Sequence, residues 1–175
     1  MINKTYNEKL DRIECFFGDS MIPVGNMHSY GHDIESSWLI YRACEALGND
    51  DILNNLSPKL EKIARHVILK GFVDEGRNGI YYDNKNGVDN KLFEWWVPAE
   101  AIVALVHRYN LYGDEKSMVL ACNLWEYVKK YFISEYGEWH WRINGESKQP
   151  VENSILCGPW KCPYHNGRLC LEILK

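Results

Sequence analysis

The feature that most constrains this chain is an order of helices repeated with the same punctuation. Apolar residues recur at helical spacing from His32 to about Leu47, with Ile34, Trp38 and Tyr41 on one stripe and His32, Glu35, Ser36, Leu39 and Ala43 on another. A second helix is expected to be capped by Ser57, to take Pro58 in its first position and to end at Gly71. The stretch GRNGIYYDNKNG is rich in turn residues and too polar for a helix. Pro98 is tolerated only in a first turn, so a third helix starts around FEWWVPAE and runs to about Tyr109. A fourth starts at Asp114 and sets Met118, Ala121, Trp125, Val128 and Phe132 on one side. YGEWHWRING alternates Trp139 and Trp141 against His140 and Arg142, as a short hairpin or extended loop does. KCPYHNGRLCLEILK closes the chain as a loop leading into a short helix.

Two helical hairpins, each followed by a polar, aromatic loop, and then a further helix form a repeat. The expected fold is all-α, with stacked helical hairpins and short extended loops, and the 175 residues suffice for one domain with a sizeable core. Each hairpin needs neighbours to cover its apolar faces. Two and a half hairpins is an awkward number, and the array reads as cut. Residues 1–13 are polar and expected to fray, and CFFGDSMIPVG reads as a short extended stretch ended by Pro23 and Gly25.

Charge and composition exclude several partners. A net charge of −4, without a Lys/Arg cluster, gives no footprint for nucleic acid. Neither a signal peptide nor an apolar run long enough for a membrane is seen. The six cysteines form no CxxC pair, which fits reduced, buried thiols in a cytoplasmic protein. Seven Trp and eleven Tyr exceed what a helical core needs, and aromatic rings often line a groove for a flat-faced ligand such as a sugar.

The chemistry concentrates at helix starts. In HSYGHDIESSW, His32 and Glu35 are three apart and share a helix face, where the carboxylate can orient the imidazole. The positive end of the helix dipole favours the Glu35 anion and keeps His32 neutral, able to take a proton. In CPYHNGRL, His165 stands at the start of the last helix with Arg168 three residues on, a fork of donors suited to a developing oxyanion. Two such histidines suit a two-base proton transfer, one imidazole removing a carbon-bound proton and the other returning it. FEWWVPAE adds Glu94, Trp95, Trp96 and Glu100; one tryptophan can stack on a sugar face while a carboxylate binds hydroxyls, and only one of two adjacent rings can point inward. His28, His32 and Glu35 have a spacing reminiscent of zinc ligands, but Gly31 is expected to interrupt the helix that would align them, HExxH is absent, and no metal is expected.

Taken in order, SYGHDIESSWL, FEWWVPAEA, EWHWRI and WKCPYHNGR resemble the C-terminal half of cellobiose 2-epimerases, within the N-acylglucosamine 2-epimerase superfamily, over nearly the whole chain from about residue 14. The resemblance implies that residues 14–175 are half of an (α/α)6 barrel, an incomplete toroid with the sugar bound in its mouth. It implies inversion at C2 of the reducing-end sugar of a mono- or disaccharide such as cellobiose, through a cis-enediol, with no metal or organic cofactor. By motif position His32 and His165 are the two bases, Glu35 supports His32, and Trp95, Trp160 and Arg168 contact the sugar. Family members are roughly twice as long. The expectations for this chain are therefore three: a truncated epimerase inactive alone, a barrel completed by a homodimer or a separate N-terminal half, or a sugar-binding remnant.

Overall fold

A computed structural model describes residues 2–175. Its helices are α1 (Ile2–Thr5), α2 (Tyr30–Leu47), α3 (Asp50–Lys70), α4 (Trp96–Tyr112), α5 (Glu115–Tyr127), which continues as one π turn over Val128–Phe132, and α6 (Tyr164–Ile173). Seven short strands punctuate them: β1 (Tyr6–Asn7), β2 (Arg12–Ile13), β3 (Met27–Ser29), β4 (Asp83–Lys85), β5 (Val88–Asp89), β6 (Leu92–Glu94) and β7 (Arg142–Asn144). No helix among the described residues is long and apolar enough to cross a membrane.

The strands explain how the hairpins repeat. β3 leads into α2 and pairs antiparallel with β4, which follows α3. β6 leads into α4 and pairs antiparallel with β7, which follows α5. Each helical hairpin is thus clasped at its base, by a sheet of its own. α4 packs against α2, α5 and α6. Its segment Val97–Leu105 is buried at every position, with Ala99, Ala101 and Ala104 small enough to let neighbouring helices approach. Gly31 brings α2 close to α4: a Cβ there would lie 2.6 Å from the Trp96 ring.

Several expectations are corrected. α3 does not start at Ser57. Asn49 accepts the Ile52 N–H at 3.0 Å, and Asp50 and Asp51 in the first turn complement the helix dipole, so the helix begins earlier and carries Pro58 inside it. Gly31 does not interrupt α2, which starts at Tyr30 with Ser29 as its cap. On α5, Ala121, Val128 and Phe132 are buried as expected, but Ser117 and Leu124 take the inward places given to Met118 and Trp125. The cause is Arg108, whose Nε donates to the Ser117 hydroxyl at 3.1 Å and turns the first turn of α5 inward. Residues 2–13, expected to fray, include the β1–β2 hairpin, and the Ile13 N–H donates to Asp33 on α2 at 2.9 Å. The cysteines are not uniformly buried: Cys44 is buried and Cys15 half-buried, whereas Cys122, Cys157, Cys162 and Cys170 are exposed.

Candidate active site

The first turns of α2, α4 and α6 converge, with α4 packed between the other two helices. Each contributes one ring. His32 of α2 lies 5.0 Å from the Trp96 indole, centroid to centroid, and His165 of α6 lies 5.2 Å from the same indole. Trp96 is therefore shared by the two imidazoles. His32 is exposed, while Trp96 and His165 are half-buried, so the rings line an open surface. Tyr82 closes one flank, 6.5 Å from His32 and 5.8 Å from Trp96.

Each imidazole is held by a different partner. His32 Nδ1 lies 2.8 Å from Ser29 Oγ, and the same oxygen accepts the His32 backbone N–H at 3.2 Å. One residue thus caps the helix and orients the ring. His165 Nδ1 lies 2.6 Å from Glu100 Oε1, which leaves Nε2 as the nitrogen not engaged by this carboxylate. Glu100 is 1 % exposed and also accepts from Trp38 Nε1 at 3.1 Å.

Arg168 ties the three helices together. Its Nη2 donates to Glu35 at 2.5 Å and to Glu100 at 2.6 Å, and its Nη1 donates to the Tyr164 hydroxyl. The guanidinium also lies 5.2 Å from the Trp38 ring centre and 4.5 Å from that of Tyr164. Ligand atoms of Glu35, Glu100 and His165 fall within 4.8 Å of one another, a spacing suited to a divalent cation. Arg168, however, already lies against both carboxylates and offsets about half of their combined charge.

The residues singled out in the sequence thus divide. His32, His165, Glu35, Glu100 and Arg168 come together, but with partners the sequence did not suggest: Glu35 serves Arg168, while Ser29 holds His32. Arg168, expected to face an oxyanion, is engaged by two carboxylates. Of the two adjacent tryptophans, Trp96 faces the imidazoles. Trp95 is 2 % exposed and packs edge-on against His165 at 5.3 Å, too buried to stack on a ligand. Glu94 is buried in the β6–β7 clasp, accepting from Trp141 Nε1 at 3.1 Å and from Arg142 Nε at 2.5 Å; burial pushes its carboxyl up, against the pull of Arg142. Trp160 is 87 % exposed on a turn before α6. His28 belongs to a separate buried cluster, its Nε2 2.7 Å from Asp33 and its ring 5.0 Å from that of His66, so it shares no ligand set with His32.

Known proteins resemble this chain in sequence and in fold. The sequence profile of the N-acylglucosamine 2-epimerase (GlcNAc 2-epimerase) family matches residues 8–167. The chain belongs to the N-acylglucosamine 2-epimerase family. It is 38% identical over 171 residues to the cellobiose 2-epimerase of Ruminococcus albus, covering 97% of this chain and 43% of that protein. It is 29% identical over 161 residues to the human N-acylglucosamine 2-epimerase, covering 86% of this chain and 36% of that one. Among solved structures, a sugar epimerase from a ruminal bacterium superposes with a TM-score of 0.93 at 34% identity, over 99% of this chain and 44% of the other. The cellobiose 2-epimerase of Bacillus thermoamylovorans gives 0.91 at 36% identity, over 98% and 43%. The helix-rich fold is thus that of the epimerase α/α barrels, and the chain spans less than half the length of the relatives it matches.

Proposed function

We propose that this chain carries both proton-transfer groups of a carbohydrate 2-epimerase. The carrying observation is that His32 and His165, on separate helix starts, flank one half-buried indole at 5.0 and 5.2 Å. With the sugar opened, the hydrogen at C2 lies next to the C1 aldehyde and is acidic enough for an imidazole to remove. One histidine takes it, giving a cis-enediol, and the other returns a proton to the opposite face. Trp96 supplies the apolar floor between them. Glu100 orients His165, Ser29 orients His32, and Arg168 pairs with both Glu35 and Glu100.

The substrate in this reading is a disaccharide such as cellobiose, as the names of the relatives suggest for them. The groove between α4, α5 and α6, about 380 Å³ and lined by Ile102, Val106, Met118, Trp125, Leu169 and Ile173, supports a larger assembly in which further helices cover it, from a second copy or a separate N-terminal half. The alternative of a sugar-binding remnant rests on Trp160 and Trp96 alone.

Product analysis separates the two. Cellobiose is incubated with the chain alone and with the N-terminal half of the Ruminococcus albus relative added, and the reducing-end sugar is identified. The reading expects the mannose configuration to appear, and to be lost in His32→Ala and in His165→Ala while sugar affinity persists. Sugar binding without product in either mixture would favour the remnant.

A further inference from the structure

The loop before α6 reads Cys157-Gly-Pro-Trp-Lys-Cys162. Gly158 and Lys161 exchange both backbone hydrogen bonds: the Gly158 N–H donates to the Lys161 carbonyl at 2.9 Å, and the Lys161 N–H to the Gly158 carbonyl at 3.0 Å. This is the doubly bonded antiparallel pair that closes a two-residue turn. In an antiparallel ladder the residues flanking such a pair stand directly opposite each other, with Cα atoms about 4.5 Å apart and Cβ atoms about 4.5–5.5 Å apart. Here the flanking residues are Cys157 and Cys162. The bridge is isolated, so the ladder spacing is the approach open to the two cysteines, and it falls within the range of about 4.4–6.8 Å between Cα atoms that a disulfide spans.

Two further features fix the pair. Lys161 is 1 % exposed, its Nζ donating to Glu138 at 2.9 Å and lying 4.7 Å from the centre of the Trp95 ring. One arm of the turn is therefore anchored, and its register cannot slip. Pro159 stiffens the turn at its first corner. Both thiols are exposed and free. Cys122 and Cys170, the other exposed cysteines, lie on different helices along an apolar groove, with no backbone bonds setting them opposite each other.

We propose that Cys157 and Cys162 form a thiol–disulfide exchange site for low-molecular-weight disulfides such as oxidised glutathione. One cysteine, as thiolate, attacks a glutathione sulfur; a protein–glutathione disulfide forms and one reduced glutathione leaves. The second cysteine gives up its proton and displaces the remaining glutathione, closing the Cys157–Cys162 bond. Two protein thiols are oxidised and one small disulfide is reduced to two thiols. The closed ring staples the turn that projects Trp160 and leads into His165. The site stands independently of any sugar chemistry.

The test equilibrates the whole chain with graded ratios of reduced to oxidised glutathione, quenches with acid, alkylates free thiols and measures intact and peptide masses. The expected result is four alkylated thiols in place of the six of the reduced chain, an intact mass lower by two alkyl groups, and a Cys157–Cys162 linked peptide in the monomer. In Cys157→Ser, Cys162 should instead retain a glutathione adduct, whereas Cys122→Ser and Cys170→Ser should form the link unchanged. Separate adducts on Cys157 and Cys162, a link elsewhere, or two thiols still reduced at the most oxidising ratio would each overturn the proposal.

Discussion

Glu35 and Arg168, 133 residues apart in the chain, meet at 2.5 Å. The contact joins the first helix of the convergent trio to the last. Through Glu100, which shares the same guanidinium nitrogen at 2.6 Å, it reaches the middle one. The carboxylate that stands three residues from His32 along the helix therefore does its work across the site, on a residue of α6.

Energetic coupling should follow that geometry. A double-mutant cycle of Glu35→Gln with Arg168→Met, read by urea denaturation, should give a coupling of about 0.5–3 kcal/mol, because the two side chains are in direct contact. The corresponding cycle of Glu35→Gln with His32→Ala should give a coupling near zero. A reversed order would return Glu35 to His32.

The adjacent tryptophans should separate cleanly. Trp95→Ala empties a fully buried site and should cost about 3–5 kcal/mol of stability. Trp96→Ala removes a half-buried ring at the edge of the core, so its stability loss should be smaller, while affinity for cellobiose, followed by calorimetry, falls more than in Trp95→Ala. Equal losses of affinity in the two variants would mean that the indole between the imidazoles is not the sugar floor.

The pattern of these contacts shows what a linear reading can reach. The helices at His32–Leu47 and at Pro98–Tyr109 were legible, because apolar spacing and a first-turn proline each carry a local physical cause, as was the end of α3 at Gly71. The convergence of His32, His165, Glu100 and Arg168 was legible only as separate motifs. Which carboxylate serves which imidazole depends on α2, α4 and α6 being brought side by side, and no local spacing encodes that. Ser29 had a local signal, a capping residue three positions before His32, yet its second role on the ring appears only once the cap is formed. Trp95 and Trp96 are chemically identical in sequence; the position of the first at the clasp of β6 decides that it is the buried one. The start of α3 was misplaced because Ser57 and Pro58 are as good a start as Asn49 and Asp50, and packing of the longer helix on α2 decides between them.

Acid should loosen the floor beneath His165. Burial raises the Glu138 carboxyl, but the hydrogen bond from Lys161, the Trp139 N–H and the charge of Lys161 outweigh it and hold it below its ordinary 4.5. A depressed carboxyl stabilises the fold fully above its ordinary value, and the contribution is lost as pH falls through the lower folded value. As pH falls below the ordinary 4.5, the Tm of the native chain should therefore drop more steeply than that of Glu138→Gln, which starts lower and lacks this component. Parallel curves would show that the Lys161–Glu138 pair has no part in acid stability.

The central claim is that His32 and His165 exchange the hydrogen at C2. It is tested most directly by incubating cellobiose in deuterium oxide with the chain, alone and supplemented with the N-terminal half of the Ruminococcus albus relative, and following the C2 position by proton NMR. The account predicts deuterium at C2 of both epimers, with the epimerised product abolished by His32→Ala and by His165→Ala and C2 exchange abolished when both are replaced. Incorporation that survives both substitutions, epimerised product that retains its original C2 hydrogen, or no exchange in either mixture would contradict it.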